Sequence, residues 1–348
     1  MAHANQNSSG KYLVMILVTG GAGFLGAHLV RFLLGDSRFQ QHSLVVLDDL
    51  SGGFVENLPQ SPRLTFVKGS VTDHALVNEL FATHKFEYVY HLAAYAAEGL
   101  SHFIRRFNYT NNLIGSTNLI NAAIMHKTKH LVFTSSIAVY GAAQVPMLES
   151  TTPLPEDPYG IAKYAVELDL KTAHEQFGLN YTIFRPHNVY GEYQNVGDRY
   201  RNVVGIFMNR LLQGMTLPVF GDGLQKRAFS YAGDLMEPLA TAPLVPAANG
   251  GVFNIGASVP MTVLELAHAV CREFGIEPQL EFLPARNEVK FAWADHTRCD
   301  QIFGKQPTTS VEDGLHKMAA WVKQAGPKKT PSFGQIEVTT KLPAFWLD

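Results

Sequence analysis

The chain has 348 residues, 46% of them hydrophobic and 17% charged, with a formal net charge of −2. That balance argues against intrinsic disorder and leaves ample length to bury a core. No basic stripe points to nucleic acid, and no apolar run approaches the roughly 20 residues that a membrane-spanning helix needs.

The two cysteines, Cys271 and Cys299, make a poor disulfide framework, so reduced thiols and a cytoplasmic location are expected. Residues 1–10 are polar and lack the apolar segment of a signal peptide, and they read as a disordered leader. Tyr12 to Val18 is a continuous apolar run, as suits a strand covered on both faces. A Gly-rich turn and a helical pattern from Phe24 to Leu34 follow. Further strands are expected at Ser43–Leu47, Leu64–Lys68, Tyr88–His91, His130–Thr134 and Tyr181–Arg185. Helices are expected at about 73–83 and 107–126. A longer one runs from Pro158, a residue suited to a first helical turn, to Phe177, with Gly178 as its C-cap.

Strands alternating with helices predict an α/β fold with a Rossmann-type doubly wound parallel sheet over residues 11–186. After Pro186 loops dominate, and 187–326 reads as a smaller mixed α/β substrate-binding domain. Segments within about 227–256, namely 229–231 and 251–256, are expected to rejoin the first sheet. Residues 327–348 form an irregular tail whose aromatics, Phe345 and Trp346, are expected to dock on the surface or on a partner subunit.

Residues 19–26 read TGGAGFLG, placing Gly20, Gly23 and Gly26 between a strand and a helix, with Phe24 and Leu25 opening the helix. Glycines there let the chain turn tightly and approach a pyrophosphate, and the helix N-terminus offers it N–H groups and a partial positive charge. Asp48 lies 22 residues beyond Gly26, at a strand end. A carboxylate there accepts hydrogen bonds from ribose hydroxyls and repels a 2′-phosphate, which favours NAD over NADP. Its neighbour Asp49 competes for the role. Leu92, Ala93 and Ala94, after the fourth strand, are small enough to pass close beside the dinucleotide, or simply pack a strand end.

Tyr159 and Lys163 are four apart near the start of a helix and share a face. A free tyrosine titrates near 10, too high for a base at neutral pH. A lysine cation and a positive nicotinamide nearby would lower that value. Ser136, just after the fifth strand, sits where an open α/β sheet lines its ligand crevice, with Ser135 and Thr134 as alternatives.

TGGAGFLG, HLAAYA, FTSSIAVYG, PYGIAK, RPHNVYG and GDGLQKRAFSYAGD occur in the order and spacing of the extended short-chain dehydrogenases/reductases. Over residues 12–322 the chain most resembles the branch of NAD-dependent epimerases and dehydratases that contains the UDP-galactose 4-epimerases. The resemblance makes Tyr159 the base, Lys163 its modulator and holder of the nicotinamide ribose, and Ser136 the partner hydroxyl. It gives Asn111 to the cofactor side and Asn188 to the sugar nucleotide, and it sets Arg227 and Arg286 on the diphosphate, which suits guanidinium geometry. Ser70, beside Val71, stands where the family usually has an aspartate for adenine. Ala96 replaces a lysine that some galactose epimerases carry.

The 4,6-dehydratases of the family place Asp and Glu just after the Ser136 position. Here those positions are Ile137 and Ala138, which cannot transfer protons. The resemblance therefore implies 4-epimerisation of a nucleotide-diphosphate sugar, UDP-sugars favoured, through a 4-keto intermediate with NAD tightly bound. A small residue at Ala292 is expected to admit an N-acetyl group. A UDP-glucuronic acid 4-epimerase, with Arg105, Arg106, Arg199 and Arg201 as carboxylate partners, is the rival reading, and an NAD(P)H-dependent reductase a further one. No metal is expected: His126 and His130 are four apart but have no evident third ligand. The family commonly dimerises through the helices at 107–126 and 158–177, which implies a homodimer.

Overall fold

A computed structural model describes residues 14–285, 289–329, 333–343 and 346. The leader expected at 1–10, and Phe345, lie outside the described residues. The first half alternates strand and helix: β1 (Val14–Thr19), α1 (Phe24–Gly35), β2 (His42–Asp48), β3 (Leu64–Lys68), α2 (His74–His84) and β4 (Tyr88–His91). It continues through α3 (Glu98–Ser101), α4 (Arg105–Tyr109), α5 (Gly115–Met125), β5 (His130–Thr134), α6 (Pro158–Phe177) and β6 (Tyr181–Pro186). The second half holds β7 (Val189–Tyr190), α7 (Val203–Leu212), β8 (Leu217–Phe220), β9 (Lys226–Ala228), β10 (Ser230–Tyr231) and α8 (Met236–Thr241). Last come β11 (Gly251–Ile255), β12 (Pro260–Thr262), α9 (Val263–Phe274), β13 (Leu280–Leu283), β14 (Phe291–Ala292), α10 (Thr297–Phe303) and α11 (Val311–Ala325).

Seven strands form one parallel sheet in the order β11-β6-β5-β4-β1-β2-β3. Successive side chains face opposite sides, as strand geometry dictates. Met15, Leu17, Val45, Leu47, Leu131 and Phe133 pack with α2, α5 and α6, while Ile16, Val18, Leu44, Val46 and Val132 pack with α1, α8 and α10. The sheet is thus covered on both faces, which is why its strands read as continuous apolar runs. A third core joins α7, α9 and α11 around Phe207, Met208, Leu266, Val270 and Met318.

Two expectations need correction. Residues 251–255 do rejoin the sheet, at its edge beside β6, but 229–231 do not. With that edge filled by β11, Ser230 and Tyr231 pair instead with β7, and Phe229 enters the third core. The helix expected at 107–126 is three pieces, because a π-turn at Thr110–Ile114 separates α4 from α5. The Asn112 side chain, bound at both ends to the Tyr95 backbone, fixes that bulge. Such bulges often occur where a helix serves a site.

Two histidines sit inside the sheet as neutral rings. His91 bonds Thr19 and Ser116, and burial brings its value down to about 3. His130 bonds Thr182 and falls to about 4. An unfolded histidine titrates near 6.5, so below that pH the unfolded chain binds more protons than the folded one. Stability is therefore retained above about 6.5 and lost as pH falls toward 4. Each histidine contributes up to about 1.4 kcal/mol per pH unit in that window. A urea midpoint measured at pH 7 and at pH 5 is expected to drop by more than surface carboxylates alone would give. Equal midpoints would show that neither ring is held neutral.

Candidate active site

The sheet order reverses between β1 and β4, and a cleft of about 310 Å³ opens there at the C-terminal strand ends. The glycine turn forms its floor. Gly20 has φ +70, and a Cβ there would lie 2.7 Å from the Ala93 backbone nitrogen. A Cβ on Gly26 would overlap the carbonyl of Gly20. Helix α1 opens at Gly23 with no side-chain cap, so Phe24, Leu25 and Gly26 bring the uncapped helix start to the cleft wall. Glycine at these two positions lets the turn close against Ala93 and on itself, which leaves the uncapped helix start open to the cleft, a cradle that fits a pyrophosphate.

Asp48 ends β2, and its carboxylate accepts hydrogen bonds from the Ala22 nitrogen at 3.0 Å and the Leu50 nitrogen at 2.8 Å. Burial holds that carboxyl above its ordinary range, opposed by those backbone bonds. The Gly23 nitrogen also interacts with it, and two oxygens with about four lone-pair sites still leave acceptor capacity. Asp49 also lines the cleft, but it is exposed and bonds the Ser51 nitrogen. Ser70, Val71, Leu92, Ala93, Ala94 and Asn111 line the same cleft. The Ser70 hydroxyl is bonded to Thr72, and the Asn111 amide donates to the Phe107 carbonyl.

On the opposite wall, Asp157 caps α6 by accepting from the Gly160 nitrogen at 2.9 Å, and Pro158 fills the first turn. That start presents Tyr159 and, one turn on, Lys163. Ser136 sits two residues beyond β5, where its hydroxyl accepts from the Ala138 nitrogen at 3.1 Å and also interacts with Tyr159. All three are buried and line the cleft.

Their protonation departs from the simple expectation. Burial brings Lys163 down to about 7, opposed by Glu167, and its ammonium donates to the Thr134 carbonyl at 2.8 Å. Burial, and next the Glu98 carboxylate, push Tyr159 well above its ordinary value, with the Ser136 hydrogen bond opposing. Lys163 by itself therefore does not bring the phenol toward neutrality.

A chamber of about 610 Å³ adjoins the cleft beyond Ser136. Asn188, at φ +41, faces both spaces. Arg227 lines the chamber, with its guanidinium on the backbone carbonyls of Lys226, Lys290 and Val289. Ala292 lies beside Arg227 in the sheet register. Arg286 lies outside the described residues. Sequence reasoning missed Glu98 and Gln194 among the lining groups. It also missed the buried pair of Glu167 and Arg185, which holds Ser135. Among the described residues no group of three or more His, Cys, Asp or Glu could hold a metal ion, and no helix is long and apolar enough to cross a membrane.

A glycine-floored crevice at a topological switch point, faced by a tyrosine and a lysine one turn apart, is that of a dinucleotide-dependent α/β enzyme. Residues 16–256 match the NAD dependent epimerase/dehydratase family, and the chain belongs to that family. NAD is its cofactor, and its chemistry is that of a nucleotide-sugar epimerase or dehydratase. It is 35% identical to a UDP-glucose 4-epimerase of Mycolicibacterium smegmatis over 86% of this chain and 96% of that one. It is 28% identical to a dTDP-D-glucose 4,6-dehydratase of Mus musculus over 90% of each chain. A crystal structure of a UDP-glucose 4-epimerase with UDP-glucose, from Thermotoga maritima, superposes with a TM-score of 0.83 at 33% identity, over 90% of this chain and 99% of that one.

Proposed function

We propose that the protein is a nucleotide-sugar 4-epimerase acting on UDP-glucose, UDP-galactose or their N-acetyl forms. The observation that carries this reading is the pair of residues after Ser136. Ile137 and Ala138 are apolar, and Ile137 is buried in a cluster with Val139, Met147 and Ala292. A dehydratase needs an acid and a base close to the sugar to eliminate water, and neither residue can move a proton.

In this reading the Tyr159 oxygen takes the proton from the sugar C4 hydroxyl, and the Ser136 hydroxyl bonds the same oxygen as it becomes a carbonyl. Lys163 steadies the phenolate by charge and holds the nicotinamide ribose. NAD, when bound in the glycine cradle with Asp48 on its ribose, supplies the acceptor for the C4 hydride and the donor for its return. Between those events the 4-keto sugar must turn over. The part of the chamber wall next to Ser136 leaves room for this, because Ala96, Gly99, Ala138, Gly141 and Ala142 are small. Asn188 and Arg227 would hold the nucleotide end fixed while the sugar turns, and Arg286 is assigned to the diphosphate by the same resemblance.

A product assay tests the reading. Purified protein without added cofactor is given UDP-glucose, UDP-GlcNAc and UDP-glucuronic acid separately, and proton NMR resolves the products. A C4 epimer is expected from one of the first two. No epimer from any of the three, even with NAD supplied, would overturn it. An epimer only from the acid would favour the rival substrate, for which Arg199 and Arg201 line the chamber. Against that rival, Arg201 is already paired with Asp198 at 2.8 Å and stacked over Tyr95.

Ala292 carries the specificity prediction. Ala292 is buried and lines the chamber, and the phenol of an Ala292→Tyr variant would take up part of that space, where this reading puts the sugar. Loss of fit in a pocket discriminates by roughly 10–200-fold. The variant is expected to lose activity on UDP-GlcNAc by that order while keeping activity on UDP-glucose. Parallel loss on both would sink the idea.

A homodimer belongs to the same proposal. Met125 on α5 and Ile161 and Leu168 on α6 are exposed apolar residues of the helices concerned, and sedimentation velocity would read the assembly directly.

A further inference from the structure

The tail beyond α11 packs against the back of the cleft. The ring of Phe333 lies edge-on to that of Phe107, 5.0 Å between centroids, and 5.4 Å from the ring of Tyr95. The Glu337 carboxylate accepts from the backbone nitrogens of Arg106 at 2.7 Å and Phe107 at 2.8 Å, capping α4, which has no cap of its own. The backbone nitrogens of Glu337 and Val338 both donate to the Phe103 carbonyl. Trp346 is buried between Phe103, at 5.9 Å, and Tyr200, at 5.6 Å, and it closes the space over Gly99.

The other side of these segments is the site. Tyr95, Glu98 and Phe107 line the cleft, and Gly99 and Tyr200 line the chamber. Arg201 lines both, with its guanidinium 4.4 Å from the centre of the Tyr95 ring that Phe333 backs. Segments 95–107 and 198–202 are distant in sequence and form adjoining walls of the site, and Trp346 touches both.

We propose that the C-terminal tail is a strap that ties these two walls together and sets the spacing at which the sugar nucleotide binds, with Phe333, Glu337 and Trp346 as its positioning residues. The walls meet directly where Arg201 stacks on Tyr95, and the tail adds a second link through Trp346, which packs on Phe103 and Tyr200, while Phe333 and Glu337 hold the 95–107 wall in place. The strap couples them, so loosening it frees both at once and weakens binding while the proton-transfer groups on β5 and α6 stay in place.

Only the kinetic and UDP-binding arms of the test rest on the nucleotide-sugar reading. Two proteins are compared with the parent: one ending after Gly326, and a full-length Phe333→Ala/Trp346→Ala variant that serves if the shortened chain does not fold. Hydrogen exchange is expected to quicken in 95–107 and 198–202 together and to stay unchanged in β1 and β5. Calorimetric affinity for UDP is expected to fall about tenfold, and KM for the sugar nucleotide to rise about tenfold with kcat within about twofold, the pattern of lost binding rather than lost chemistry. Exchange that quickens in one wall only, or UDP affinity equal to the parent's, would overturn the strap. A parent that bound no UDP would sink the function reading instead, and exchange alone would then decide the strap.

Discussion

A Tyr159→Phe enzyme is expected to lose about 10²–10⁴ of kcat, the usual contribution of a positioned general base, with little change in KM or in unfolding midpoint. The substitution removes one oxygen and leaves the buried ring in place. That oxygen interacts with Ser136, so the folded state gives up little, whereas the sugar C4 hydroxyl would lose its only proton acceptor in the proposed reaction. Retained NAD distinguishes this from a collapse of the site. Acid-released nucleotide, measured by absorbance, should match the parent, because the glycine cradle and Asp48 lie on the other wall. A variant with more than about a tenth of parental kcat would remove Tyr159 from the base role, since that loss falls below the range such a base supplies.

The parts of this site that were legible in the sequence are those fixed by local chemistry. The glycine turn announces itself because backbone crowding at Gly20 and Gly26 tolerates no side chain. Helix α6 was readable at both ends: Pro158 fits the first turn, and Gly178 takes the left-handed cap at φ +74. The strands were readable because a sheet covered on both faces needs unbroken apolar runs. What was not legible depends on partners far away in the chain. The π-turn before α5 exists because Asn112 bonds the backbone of Tyr95, and nothing in the local pattern of 107–126 signals that. The placement of 229–231 was decided by β11 taking the sheet edge. The protonation of Tyr159 and Lys163 follows from burial, which residue types alone do not reveal. That Trp346 docks was expected from its place in the tail, but its target on 95–107, like that of Glu337, lies more than two hundred residues away and carries no local signature.

The same reasoning gives the largest stability effect, at Glu167. Its carboxylate accepts from Arg185 through both oxygens and from the Ser135 hydroxyl, all of them buried. The Arg185 guanidinium also lies 4.7 Å from the centre of the Tyr140 ring. Glu167→Ala would leave that cation buried without its counter-charge, a change that typically destabilises by about 3–5 kcal/mol. The urea midpoint, measured with NAD in excess, is expected to fall accordingly. Replacing both partners with apolar residues, as in Glu167→Leu/Arg185→Met, removes the uncompensated charge and is expected to recover most of the loss, because such swaps are often close to neutral. Activity should not recover to the same extent. Glu167 lies one turn beyond Lys163 on α6 and anchors Ser135, the neighbour of Ser136, so the pair holds the two halves of the proposed proton-transfer site in register. In the double variant kcat is expected to stay several-fold low while the midpoint returns, separating positioning from stability. A Glu167→Ala protein within about 1 kcal/mol of the parent would mean that Arg185 finds another partner or reaches water, and the pair would then have no such role.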